Sequence, residues 1–225
     1  MTPFEVIALR QTLKFVFLGI GLLAAIGYAL FFCHRPPSRM KTLVKAVPMP
    51  AFAAASWISF GHPAVTIALL LSAVGDIALS RDGDRPFLIG LIAFAAAHIA
   101  FIFHFWTLGA GPLEAPLPLI LAVIVFALSS ELWLIPFTGG MRWPVRVYVV
   151  LIALMGLTAL GLPALPLAIA GAFAFLASDT ILSLQLFRMP AHSSWQRPAS
   201  IALWSLYAGG QFLILAGSGW NTPLF

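Results

Sequence analysis

Three acidic side chains lie within long apolar stretches of the chain: Asp76, Glu131 and Asp179. A carboxyl group inside a bilayer is costly and usually faces a helix bundle or a wet cavity, which makes it a candidate functional group. At about 1.5 Å per helical residue, Asp76 lies about 8 Å before Arg81, and Asp179 lies about 13 Å before Arg188. Two such carboxyls, one protonated and one ionised, suit acid catalysis, and paired intramembrane carboxyls are also typical of carriers. Glu131 lies close to the end of its stretch and is interpreted as interfacial.

Further polar side chains are predicted to face the same inner chamber and are candidates for contacting a substrate: Lys45, Ser72, His98, Ser178, Tyr207 and Gln211. Ser72 and Ser178 belong to runs of small residues that would let neighbouring helices approach closely. Lys45 lies near the charged end of its stretch, where its ammonium could reach the interface. A lining or helix-packing role is the simplest interpretation for Lys45, Tyr207 and Gln211.

The three deepest candidates also have structural interpretations. Asp76 could form an ion pair with Arg81 or Arg85. Asp179 could make an interhelical hydrogen bond. His98 could bond a backbone carbonyl inside the bundle.

No metal or cofactor is expected. His98 and the two aspartates could bind zinc, but the chain has no H-E-x-x-H or comparable ligand spacing. It also has no G-x-S-x-G elbow and no glycine-rich phosphate loop, which argues against serine hydrolases and nucleotide-dependent enzymes. The single cysteine, Cys33, excludes an internal disulfide.

The composition excludes a soluble protein. Of 225 residues, 61% are hydrophobic and only 8% are charged, whereas soluble domains carry about 25% charged residues. The net charge of +5 does not indicate a nucleic-acid partner, because the basic residues flank apolar runs and form no basic face. Lipids of the surrounding membrane are the expected partners, and the oligomeric state is left open.

The apolar runs predict an all-α, polytopic transmembrane bundle that forms a single integral-membrane domain over residues 1–225. None of the runs alternates as a barrel strand would. Eight spanning helices are predicted, at about 13–33, 43–60, 63–80, 87–106, 116–136, 145–161, 164–187 and 199–217.

The basic residues predict the orientation of these spans. Nine Lys or Arg residues follow the first, third, fifth and seventh spans, whereas only Arg10 and Lys14 lie on the other side. Because Lys and Arg accumulate on the cytoplasmic side, both termini are expected to be extracytoplasmic, with the chain in the inner membrane of a bacterium.

The order of several motifs resembles the YhhN family of lysoplasmalogenases from about residue 40 to the end. The matching residues are Lys45 with Pro48, Ser72 to Asp76, Phe87 to Gly90, Phe94, Ala97-His98, Gly171-Ala172 to Phe175, Ser178-Asp179, and Tyr207 with Gln211. The chain departs from the family pattern at Phe101, where similar proteins often carry Tyr. The side chain three residues after His98 therefore has no hydroxyl in this chain, unlike in those similar proteins.

The resemblance implies hydrolysis of the vinyl-ether bond of lysoplasmalogens, which releases a fatty aldehyde and a glycerophospho-choline or -ethanolamine. Such a bond is cleaved after protonation of its β-carbon, so the site needs an acid and an anion. Asp179 is favoured as the acid, because low-dielectric surroundings favour the neutral form of a carboxyl, and Asp76 as base or stabiliser. The reverse assignment stays open.

Two other functions compete with this hypothesis. A small lipid or proton-coupled transporter would also use paired intramembrane carboxyls. An intramembrane aspartyl protease would too, but neither aspartate lies in a Gly-x-Gly-Asp or Tyr-Asp setting.

Overall fold

The structure is a computed structural model that describes residues 2–109, 111, 114–162 and 164–220. Most of these residues lie in helices. Within these residues there is no β-strand. The prediction of an all-α membrane bundle is therefore confirmed.

Nine α-helices lie in the described residues: α1 Pro3–Gly27, α2 Arg39–Ala46, α3 Pro48–Ile58, α4 Pro63–Ala78, α5 Asp84–Thr107, α6 Leu117–Trp133, α7 Arg142–Leu160, α8 Pro166–Phe187 and α9 Gln196–Ser218. A π-helical turn, Tyr28–Phe32, extends α1, and two 3-10 turns, Ile135–Phe137 and Gly139–Met141, join α6 to α7. Every predicted span contains a helix.

The first span begins about ten residues earlier than expected. Pro3 occupies the first turn of α1, where its missing N–H costs no hydrogen bond. The Thr2 side chain accepts from the Glu5 backbone, and the Glu5 carboxylate accepts in return from the Thr2 backbone. This capping box stabilises a helix start outside the apolar run, where hydropathy alone carries no signal.

The second predicted span is divided into α2 and α3. Pro48 opens α3 and has no N–H to donate back along α2, so the hydrogen-bond ladder is interrupted at Val47. The helical region also begins earlier than predicted, because the Ser38 side chain caps α2 by accepting from the Lys41 backbone.

In the part of the chain that the structure describes, six helical segments are long and apolar enough to cross a membrane: Pro3–Phe32, Asp84–Thr107, Leu117–Phe137, Gly139–Leu160, Pro166–Phe187 and Gln196–Ser218. The protein is thus a multi-pass integral membrane protein. Helix α4 has 16 residues, a length of about 24 Å, and lies with α3 inside the bundle.

Small residues allow the closest helix pairs to meet. Helix α8 packs against α9 where Gly171 faces Gly210. A Cβ at Gly171 would lie 2.6 Å from the Gly210 carbonyl oxygen, and a Cβ at Gly210 would lie 2.8 Å from the Gly171 carbonyl oxygen. Helices α4 and α5 also meet at a glycine, because the Phe94 ring fills the space that a side chain at Gly75 would occupy. These contacts position the two helices that carry Asp76 and Asp179.

Adjacent glycines of α9 provide a matched test of this packing. We expect Gly210→Ala to lower stability by about 1–3 kcal/mol, because the added methyl group meets backbone atoms that cannot rotate away. Gly209→Ala should be neutral or slightly stabilising, since nothing described lies within 4 Å of its added Cβ. Thermal unfolding of the purified, detergent-solubilised protein measures both; equal midpoints for the two variants would contradict the close approach.

Candidate active site

Asp76 is almost fully buried and has two partners on other helices. The Tyr207 hydroxyl of α9 donates to its Oδ2 atom at 2.7 Å. The Lys45 ammonium of α2 lies 3.3 Å from its Oδ1 atom. A buried carboxylate with an ammonium and a hydroxyl as partners is stabilised in its ionised form. Asp76 thus connects α2, α4 and α9.

A second polar pair lies one helical turn away on the same two helices. The Gln211 side-chain amide of α9 donates to the Ser72 hydroxyl of α4 at 2.8 Å, and both residues are fully buried. Ser72 precedes Asp76 by four residues and Gln211 follows Tyr207 by four, so the two pairs lie one above the other. The α4–α9 contact is therefore polar over about one turn.

Asp179 has mainly neutral partners. The Tyr148 hydroxyl of α7 donates to its Oδ2 atom. The Ser178 hydroxyl donates to the Phe175 carbonyl at 2.7 Å, and its oxygen lies 3.4 Å from the Oδ1 atom of Asp179. The His98 Nε2 atom of α5 lies 3.7 Å from Oδ2, which is too long for a direct hydrogen bond. Asp179 therefore differs from Asp76 in having no Lys or Arg ion pair among the described residues.

The backbone determines the tautomer of His98. Its Nδ1 atom contacts the Phe94 carbonyl oxygen, one turn back on α5. Because a carbonyl can only accept, the hydrogen is assigned to Nδ1, and in the neutral ring Nε2 then carries the free lone pair. Nε2 is fully buried, has no hydrogen-bond partner in the described residues, and faces Asp179. Nε2 therefore faces the carboxyl without a direct hydrogen bond to it.

Aromatic rings separate the two carboxyl groups. The Phe94 and Phe175 rings meet edge to face, and both lie edge to face against Tyr207, at centroid distances of 5.7 Å and 5.3 Å. The Phe175 ring also lies 4.7 Å from that of His98, which in turn contacts Tyr148 at 5.2 Å. The rings thus form a layer with the Asp76 group on one side and the Asp179 group on the other.

Asp179 also lies on the wall of two small cavities. One, of about 40 Å³, lies among α6, α7 and α8, and the other, of about 30 Å³, lies among α4, α5, α7 and α8. Tyr148 and Ser183 line both cavities together with Asp179. The carboxyl is therefore the more accessible of the two, with 13% of its side chain exposed against 2% for Asp76.

The structural interpretations have different outcomes. Asp76 pairs with Lys45, and neither Arg81 nor Arg85 is its partner in the described structure. Asp179 does make an interhelical hydrogen bond, and His98 does bond a backbone carbonyl. The Nε2 atom of His98 nevertheless still faces the Asp179 carboxyl. All eight predicted site residues thus lie around the aromatic layer or in the two polar clusters that it separates.

Glu131 lies apart from this site. Its carboxylate accepts two hydrogen bonds of 2.8 Å from the Arg146 guanidinium, and 45% of its side chain is exposed. It forms a surface ion pair between α6 and α7, which contributes little to stability.

Tyr148 is the site residue that the sequence reasoning missed. It supplies the hydroxyl next to His98 that Phe101 lacks, but from α7 instead of from the next turn of α5. The chain contains only three tyrosines, and two of them, Tyr148 and Tyr207, bond an intramembrane carboxyl. Tyrosine inside an apolar span was the signal that could have identified it.

The donor set gives little support to a metal site. Among the described residues, no group of three or more His, Cys, Asp or Glu side chains is placed to hold an ion.

These features define a multi-pass helical membrane protein with two buried carboxyl groups in different environments. The chain belongs to the YhhN family, whose model matches residues 40–218. The Homo sapiens protein named lysoplasmalogenase TMEM86A is 31% identical over 187 residues, which cover 73% of this chain and 74% of that protein. The Sus scrofa protein named lysoplasmalogenase TMEM86B is 32% identical over 200 residues, or 84% of this chain and 80% of that protein. No solved structure matches the chain.

The Lys45–Asp76 pair allows a test of the buried charge. We expect Lys45→Met to destabilise the protein by about 3–5 kcal/mol, because it leaves the Asp76 carboxylate buried without its cation. Combining it with Asp76→Asn should recover much of that loss. Arg39→Met, an exposed change on the same helix, should have little effect. Thermal unfolding of wild type, the Lys45→Met and Asp76→Asn single variants, the double variant and Arg39→Met completes the comparison, and additive losses in the double variant would argue against a coupled pair.

Proposed function

We propose that the protein is a lysoplasmalogenase, which hydrolyses the vinyl-ether bond of 1-alkenyl-glycerophosphocholine or -ethanolamine without a cofactor. The products are a fatty aldehyde and the glycerophospho-head group. The observation that carries the proposal is the contrast between two buried carboxyls, one paired with an ammonium and one with neutral partners. The names of the TMEM86 relatives support the same reaction.

The reaction requires one proton donor and one negative charge. Protonation of the β-carbon uses the π electrons of the double bond to form a C–H bond and leaves an oxocarbenium ion. Water then adds to that ion and loses a proton, which gives a hemiacetal. The hemiacetal collapses to the aldehyde as the glycerol oxygen leaves with a proton, so one water molecule is consumed. Glycosidases meet similar demands with two carboxyls held in different environments.

Asp179 is proposed as the acid. Its neighbours are hydroxyls and a neutral imidazole, and low-dielectric surroundings without a cation favour the protonated carboxyl. The two small cavities at its side mark the directions from which an alkenyl chain would approach. His98 is proposed as a positioning residue: its ring packs against Tyr148, whose hydroxyl bonds the carboxyl, and its Nε2 lone pair faces Asp179.

Asp76 is proposed as the anion that opposes the developing positive charge. Its ammonium and hydroxyl partners keep it ionised, and Tyr207 extends from it into the aromatic layer. The faces of Phe94 and Phe175 add a favourable interaction with a cation formed beside them. An ester would need a nucleophile and an oxyanion hole, and neither has a candidate among the described site residues.

The substrate is proposed to come from the membrane itself. The distribution of basic residues supports an orientation with both termini outside the cytoplasm, and we propose that Asp76 and Asp179 lie in the cytoplasmic half of a bacterial inner membrane. A single-chain phospholipid would lie with its chain among the helices and its head group toward that face.

The substrate preference tests the proposal directly. Purified protein given 1-alkenyl-lysophosphatidylethanolamine should release a long-chain aldehyde, and the matching 1-acyl lipid should give no fatty acid. Activity should persist with a chelator, because no metal takes part in the steps above. Absence of aldehyde, together with movement of lipid or protons across vesicles, would establish the transporter alternative instead.

The two aspartates should be jointly required. Asp76→Asn and Asp179→Asn are each expected to lower kcat by at least about 100-fold, since one removes the anion and the other the proton donor. Thr12→Val is the control, because it changes an exposed side chain of α1 that lies outside the site, and it should keep near-normal turnover. Aldehyde release and the thermal midpoint are measured for all three; a folded aspartate variant with normal kcat would remove that residue from the mechanism.

A further inference from the structure

A polar cavity lies beside the connection between α4 and α5. Its volume is about 420 Å³, and its charged lining residues are Arg81, Asp82 and Asp84. Thr138, from the connection between α6 and α7, completes the polar part of the wall. This is the side that the basic residues place at the cytoplasmic surface.

This cavity adjoins the smaller one that reaches Asp179. Four apolar residues line both: Leu79, Phe87, Leu186 and Phe187. Phe87 and Phe187 meet edge to face at 5.9 Å, so a pair of rings stands between the charged surface and the buried carboxyl. A ligand held in the polar cavity could therefore extend one end toward Asp179.

The opposite side of Asp179 is apolar. The 40 Å³ cavity is lined by Phe126, Trp133 and Leu176, and it shares Ala127 and Ser130 with a groove of about 410 Å³ between α6 and α7. Asp179 thus lies between a charged cavity and a mostly apolar groove, whose wall also carries the Glu131–Arg146 ion pair. A single-chain amphiphile has the same order of groups: polar head, reacting bond, apolar chain.

The dimensions agree with this order. Asp179 and Leu186 are seven residues apart on α8, about 10 Å along the axis. Seven bonds join the β-carbon of the vinyl ether to the phosphorus, about 8 Å at the roughly 1.2 Å per bond of an extended chain. Four further bonds reach the ammonium of ethanolamine, which adds about 5 Å by the same measure.

The charges match a zwitterionic head. Among the described residues, the Arg81 guanidinium has no ion pair or side-chain hydrogen bond, so its donors are available for a phosphate. Asp82 and Asp84 lie on either side of Gly83, whose φ of +111° forms the turn. Their carboxylates suit the ammonium, and they oppose a head group that carries only negative charge.

We propose that this cavity binds the phosphate and ammonium of the lysophospholipid head group, with Arg81 on the phosphate and with Asp82 and Asp84 on the ammonium. The inference rests on the proposed function and adds the site that recognises the head. It also sets the direction of the substrate: the alkenyl chain points toward the groove between α6 and α7.

Kinetics with and without the head group test this inference. With 1-alkenyl-lysophosphatidylethanolamine, Arg81→Gln should raise KM about tenfold and leave kcat within about twofold, because a phosphate contact is lost and the reacting bond is untouched. With 1-alkenylglycerol, which lacks the head, wild type and variant should have equal KM. Arg85→Gln is the control: it removes a charge from the neighbouring exposed surface and should change neither constant.

The double variant Asp82→Asn, Asp84→Asn should change KM in opposite directions for two substrates that differ in their head group. It is expected to raise KM for the ethanolamine lipid and to lower KM for 1-alkenyl-lysophosphatidic acid, which has no ammonium. This reversal keeps the test valid if Arg81→Gln does not fold.

Inhibition distinguishes the lipid head from free phosphate. Glycerophosphoethanolamine should compete with the lipid in wild type and about tenfold more weakly in Arg81→Gln, whereas inorganic phosphate at equal concentration should not. Equal inhibition by inorganic phosphate, or an unchanged KM in a wild-type-active Arg81→Gln protein, would overturn the head-group site alone. Failure of wild type to release aldehyde from either lipid would instead overturn the proposed function.

Discussion

The ion pair between Lys45 and Asp76 is the constraint that orders the inner helices. A carboxylate withdrawn from water must have a cation and hydrogen bonds close by, and here they come from α2 and α9. The Ser72–Gln211 bond continues the α4–α9 contact for another turn. Because these hydrogen bonds and the ion pair are directional, they favour one rotational setting of the three helices, and apolar packing in lipid alone would not select it.

Glycines make that setting possible for the neighbouring helices. Gly75 leaves room for the Phe94 ring, and Gly171 and Gly210 let α8 and α9 meet at backbone distance. The Phe94 carbonyl then orients His98 toward Asp179. Phe94 thus has two roles on α5: its ring packs over Gly75 and against Tyr207, and its carbonyl fixes the tautomer of His98. A displaced Phe94 would therefore disturb the surroundings of both carboxyl groups.

Asp179 lies where the character of the interior changes. The cavity on one side leads toward charged residues at the α4–α5 connection, and that on the other side leads toward the mostly apolar groove between α6 and α7. In the proposed reaction this boundary separates the products. The aldehyde would stay on the apolar side and the charged head on the polar side, so the two would leave along different routes.

The sequence by itself determined the class of protein and the candidate carboxyls. Apolar runs have no alternative to helices in lipid, and Asp76 and Asp179 were conspicuous because charge is costly there. Motif order also indicated the YhhN family. Only the tertiary structure decided the partners: Lys45 in place of Arg81 or Arg85 on Asp76, and Tyr148 on Asp179. It also decided that α1 begins at its capping box and that Pro48 divides the second span. Spacing along one helix reveals which residues share a face, but the facing helix is set by packing between segments far apart in the chain.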